Sequence, residues 1–109
     1  MKFSSTDILK SALGQFFRER FYTDAVDSLR KAIREDKYYR ENWQGVIQLI
    51  IKRELQNGEP LSLMDNEANL PLEENSDEEA YKWLTLMIVN SVQDPGAPII
   101  DYVDLFEQT

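Results

Sequence analysis

Cysteine and histidine are both missing from this chain of 109 residues. Without cysteine there are no disulfides, zinc thiolate sites, iron–sulfur clusters or thiol nucleophiles. Without histidine the commonest general base near neutral pH and the commonest transition-metal ligand are gone. The four glycines are too few for a phosphate-cradling loop, and no nucleotide-binding motif is present. Long apolar runs are absent as well. The longest, Leu86 to Val89, is four residues and cannot span a bilayer. The opening Met1-Lys2-Phe3-Ser4-Ser5-Thr6-Asp7 lacks the apolar stretch of a signal peptide. These absences predict a cytoplasmic chain that is not an enzyme and carries no cofactor or metal.

What is present suits a folded domain. Apolar residues make up 42% of the chain and aromatics 11%, too much for a disordered segment. The length fits one domain spanning residues 1–109. Net charge is −8, and it is unevenly spread: residues 1–53 sum to +4, whereas residues 54–109, with Lys82 their one cation, sum to −12. Like charges crowded on one face repel, and a cationic partner would relieve that repulsion.

Apolar periodicity of 3.6 residues predicts an all-α fold: a compact four-helix domain with a long acidic loop between helices 3 and 4. The first helix is expected over residues 5–18, started by Ser4 with Asp7. The second is expected over 23–35 with Thr23 as its cap, burying Ala25, Val26, Leu29, Ala32 and Ile33. That register places Asp27, Arg30, Lys31 and Arg34 towards water. The third is expected over 40–56, burying Trp43, Val46, Ile47, Ile50 and Ile51, with Asn57-Gly58 and Pro60 ending it. The polar stretch from Gly58 to Asn75 reads as the long loop, of a length usually reserved for function. Ser76 and Glu79 form a capping box for the fourth helix, which runs to Val92 and is apolar on most sides, as a central helix should be. Residues 99–106 suit a short strand or a short helix equally, and periodicity does not decide.

Each motif with chemical content has a plainer reading. Asp65-Asn66-Glu67-Ala68-Asn69 begins like a calcium loop, but Leu70 stands where a glycine is needed and Ser76 where a glutamate is needed. The cations from Arg18 to Arg40 lie near Phe21, Tyr22, Tyr38, Tyr39 and Trp43, as in some nucleic-acid readers. Glu19, Asp24, Asp27, Glu35, Asp36 and Glu41 interrupt them, which suits solvated helix faces with local ion pairs better than a phosphate track. Neighbouring acids such as Glu73/Glu74 and Asp77/Glu78 lack the burial that would raise a carboxyl pKa for proton transfer.

Two family resemblances bear on function. Tyr22, Asp24, Ala25, Leu29, Ala32, Asp36 and Trp43 resemble the consensus spacing of a tetratricopeptide repeat, whose small residues let paired helices approach closely. Leu13 and Lys37 depart from that pattern and no second copy follows, so the resemblance implies a helical hairpin of similar geometry. The whole chain is similar in size and acidity to the small helical immunity proteins of bacterial toxin systems, of the colicin-nuclease and contact-dependent-inhibition kind. Asn66-Glu67-Ala68-Asn69 followed by Ser76-Asp77-Glu78-Glu79-Ala80-Tyr81-Lys82-Trp83-Leu84 resembles a loop-then-helix segment of some of them. That resemblance implies a basic toxin domain as partner, often a nuclease, neutralised by occlusion of its cationic active site. No nucleic acid, membrane or small-molecule substrate is expected. The partner-binding residues are then expected among Glu59, Asp65, Glu67, Glu73, Glu74, Asp77 and Glu78, with Leu70 and Leu72 as apolar anchors. A tetratricopeptide-like adaptor would instead bind through the face around Tyr22, Tyr38, Tyr39 and Trp43.

Overall fold

The hydroxyl of Ser4 accepts a hydrogen bond of 3.1 Å from the Asp7 amide and starts α1, Ser5–Ala12, as its capping motif predicts. In this computed structural model residues 4–70, 72 and 75–100 are described. Helix α1 runs directly into a wider π-helical turn, Leu13–Phe17, closed by a 3.2 Å bond from the Arg18 amide to the Leu13 carbonyl. The wider turn lets the adjacent Phe16 and Phe17 both face inward, alongside Ile8, Leu9, Ala12 and Leu13.

Helix α2, Tyr22–Glu35, and α3, Lys37–Ile51, form a hairpin whose only link is Asp36. The Asp36 carboxylate accepts from the Tyr38 amide at 2.9 Å, so α3 restarts at once and not at Arg40 as expected. Tyr39, Trp43, Val46 and Ile50 form its buried stripe. Gly45 lies where α1 crosses α3, and a Cβ there would collide with the Ser5 hydroxyl. The start of α2 also differs from expectation. Phe21, not Thr23, occupies the cap position, with no side-chain cap bond.

Three further expectations are corrected. Helix α3 stops at Ile51 because Arg53 takes a left-handed backbone, φ 52°, and the Glu54 amide closes on the Leu49 carbonyl at 3.0 Å. Ile51 consequently points outward, 62% exposed. The stretch from Gly58 to Asn75 is not one long loop. It holds α4, Glu59–Ser62, continued by a second π-helical stretch, Leu63–Ala68, that ends at left-handed Asn69. Its start is satisfied from another helix: the Asp77 carboxylate accepts from the amides of Gly58 at 2.6 Å and Leu61 at 3.2 Å. The domain therefore has five helices among the described residues, not four, and no strand.

Helix α5, Asp77–Ser91, is central, lying against α2, α3 and α4. Ser76 caps it by accepting from the Glu79 amide at 3.1 Å, as the capping box predicts. Ala80, Trp83, Leu84, Met87 and Ile88 enter the shared core, whereas Val89 and Val92 remain exposed. Trp83 meets Phe17 edge-on with centroids 5.2 Å apart. The Cα radius of gyration, 13.1 Å, is that of a compact globule of this length. No helix among the described residues is long and apolar enough to cross a membrane.

Arg30 is the largest departure from the helix-face reading. Expected in water, it is 1% exposed. Its guanidinium donates to the carbonyls of Asn90 at 2.8 Å, Ala97 at 2.8 Å and Pro98 at 3.4 Å. The Asn90 side chain donates to the Ile100 carbonyl at 2.8 Å and accepts from the Ile100 amide at 3.1 Å. Together they fasten the segment after α5 onto the helices. Of the stretch expected as strand or helix, only Ile99 and Ile100 are described, and the remainder lies outside the described residues.

Candidate binding cleft

The structure divides the expected acidic row into two groups. In the first, the carboxylates hold the fold. Asp77 caps α4, and the Glu59 carboxylate accepts from the Gln56 amide at 3.3 Å. Glu78 makes a two-pronged pair with Arg53 at 2.7 and 2.8 Å. The Arg53 guanidinium also sits 4.8 Å from the Tyr81 ring centroid, and the Tyr81 hydroxyl accepts from the Leu55 amide at 3.2 Å. This anchors the left-handed turn at Arg53, a conformation that a non-glycine residue adopts at a cost. The hydrogen bond from Arg53 holds the Glu78 carboxyl below its ordinary pKa, the wrong direction for proton donation near neutrality.

The second group is more open. Asp65 is exposed and Glu67 half-buried, both on the π-helical stretch that ends at Asn69. Leu70 follows, half-buried, while Leu72 is 8% exposed and belongs to the core, which removes it as an interface anchor. Glu73 and Glu74 lie outside the described residues.

Beside this second group is a cleft lined by Glu19, Arg20, Phe21, Asp24, Asn69 and Leu70. The turn between α1 and α2 forms one wall and the end of the π-helical stretch the other. They are stapled by the Arg18 guanidinium, which donates to the Asn66 carbonyl at 3.0 Å. Each wall carries a left-handed non-glycine residue, Glu19 at φ 58° and Asn69 at φ 54°. Such conformations persist only where the surroundings enforce them, and they concentrate at binding sites. Phe21 stands at the rim, 80% exposed. Glu19 and Asp24 outnumber Arg20 on the lining, and Asp65 and Glu67 precede Asn69 on the same π-helical stretch. An exposed aromatic bordered by carboxylates can bind a cationic protein surface.

Of the described residues expected to bind a partner, only Leu70 lines this cleft. Phe21, Glu19 and Asp24 are candidates that the sequence pattern does not single out, the one signal being Phe21, an aromatic between the end of one apolar stripe and the start of the next. On the aromatic face expected for an adaptor, Tyr22 and Tyr38 are half-buried and the other two residues are closed off. Tyr39 is buried, donating to Gln15 at 2.7 Å and sharing a 2.9 Å bond with Ser11. Trp43 is buried too, donating to Ser91 at 3.0 Å.

No protein-family model, curated protein or solved structure matches this chain.

Proposed function

We propose that this chain is an immunity-type inhibitor that binds a basic toxin domain, of the nuclease class, and covers its cationic active site with an acidic surface. The observation that carries the reading is the Phe21 cleft: an exposed aromatic and a half-buried leucine, bordered by Glu19 and Asp24, with Asp65 and Glu67 on the π-helical stretch that ends at its wall. A nuclease must present positive charge to its polyanionic substrate. Carboxylates around the cleft would steer such a partner in, and Phe21 would hold it once water is excluded. The role requires no thiol, imidazole or metal, and it accounts for the acidity of the chain. The rival reading, a tetratricopeptide-like adaptor, has less support because Tyr39 and Trp43 are committed to the core.

The test is binding kinetics against a basic nuclease-toxin domain encoded beside the gene. Asp65→Lys with Glu67→Lys should slow association, and its salt dependence should flatten, since steering acts over a screened distance of about 10 Å at 0.1 M salt. Phe21→Ser should speed dissociation at least about tenfold if Phe21 is a central anchor. Lys31→Gln, on an exposed position of α2, is the control and should bind as wild type. Wild-type kinetics in both cleft variants would overturn the cleft as the binding site.

A further inference from the structure

We propose that a second groove, between the C-terminal half of α2, the start of α3 and the end of α5, binds a small phosphomonoester with an apolar body. The groove has a volume of about 330 Å³, at the lower end of the range for small-molecule sites. It lies at the other end of α2 from the Phe21 cleft: Asp24 and Arg34 are ten residues apart, about 15 Å along a helix.

Charge is the first argument. Arg30, Arg34 and Arg40 all line the groove, in a chain whose net charge is −8. Buried Arg30 spends three N–H groups on main-chain carbonyls. A guanidinium has five, so two are left. Carbonyls satisfy hydrogen bonding but not charge, and Arg30 pairs with no carboxylate among the described residues. A buried cation without a counter-charge is costly, and an anion entering the groove would supply one.

The second argument is stoichiometry. Arg34 pairs with Asp94 at 2.6 Å, with both side chains largely exposed. Arg40 donates a long 3.4 Å bond to the Arg34 carbonyl. Three arginines less Asp94 leave a local charge of +2. A phosphomonoester carries about −1.5 to −2 at neutral pH, close to that local charge, whereas a carboxylate carries a single negative charge. The amides of Gln44 and Gln93 add neutral groups to the lining, and Ile47 and Val92, the latter 54% exposed, give an apolar wall for the body of the ligand.

Titration of isotope-labelled protein with phenyl phosphate and with inorganic phosphate, at matched ionic strength, tests this by nuclear magnetic resonance. Expected are saturable shifts at Gln44, Val92 and Gln93, with a dissociation constant of about 1 mM or tighter for phenyl phosphate. Inorganic phosphate should bind the same residues at least about threefold more weakly, for want of apolar contact. Arg40→Gln should weaken phenyl phosphate about tenfold by removing a charge-assisted donor. Asp94→Asn should tighten it about threefold by raising the local charge, which a merely structural role for Asp94 would not do. Arg30 is left unchanged because its loss would unfasten the segment after α5. Shifts that do not saturate, equal affinity for the two phosphates, indifference to Arg40→Gln, or weaker binding in Asp94→Asn would each overturn the proposal.

Discussion

Replacing Arg30 with methionine tests whether a buried cation can be a net stabiliser here. Methionine keeps the apolar stem and removes all three donated bonds to Asn90, Ala97 and Pro98. The two bonds at 2.8 Å are the strong ones. Hydrogen bonds from charged donors contribute about 1.5–3 kcal/mol each, so the loss of these two costs roughly 3–6 kcal/mol in gross terms. Relief of the burial penalty on the guanidinium offsets about 1 kcal/mol of that, leaving an expected loss of about 2–5 kcal/mol. A domain of this size is held by roughly 5–15 kcal/mol in total, so the change is large. In urea denaturation the midpoint should fall by about 1–2 M with an unchanged slope. Amide exchange at Ile100, whose N–H is held by Asn90, should accelerate in step. Arg30→Lys should recover only part of the loss, because one ammonium cannot span three separated carbonyls. A methionine variant as stable as the parent, or more so, would refute the reasoning: desolvation would then outweigh the clamp.

Trp83→Ala should cost about 3–5 kcal/mol in the same assay, the range for a large buried aromatic. Trp83 is buried between Phe17 and Tyr22, with centroids at 5.2 and 5.8 Å, and a loss below about 1 kcal/mol would place it outside the core. The Glu78–Arg53 pair makes stability depend on acid. Glu78 has its folded pKa lowered, first by the hydrogen bond from Arg53, relative to an ordinary value of 4.5. Its contribution is therefore complete above pH 4.5 and is lost as pH falls through the lower folded value. Resonance titration of the Glu78 carboxyl should show that lowered midpoint, and Arg53→Gln should return it towards 4.5. An unchanged midpoint in the variant would refute the assigned cause.

The helices were legible where the signal is local. Ser4 and Ser76 each carry a side-chain acceptor in reach of an amide three residues on, and both caps form as the sequence implies. The stripes of α2 and α5 were legible because burial at 3.6-residue spacing is a property of the segment alone. Helix α3 was misplaced at both ends for a different reason. Its N-terminus depends on Asp36 serving two helices, and its C-terminus on Arg53, a residue type that local rules do not associate with left-handed backbone. Arg53 adopts that conformation with its side chain gripped by Glu78, twenty-five residues away. Helix α4 is hidden likewise, since its four residues cannot nucleate alone and Asp77 of another helix caps it.

The same distinction explains the site residues. An acidic residue in a sequence shows its charge but not where that charge is spent. Asp77 and Glu78 looked like an open negative surface, and the fold uses them against Gly58, Leu61 and Arg53. Arg30 looked like a solvated cation by its place on the helix, and the chain returning after α5 buries it under three carbonyls. Phe21 is the converse: an aromatic that falls in no predicted apolar stripe and stands exposed in the turn after left-handed Glu19. Surface that could bind a partner is what remains after the long-range contacts have claimed theirs. That subtraction leaves the exposed Asp65, Phe21 and Arg40 as candidates, and it requires the tertiary structure.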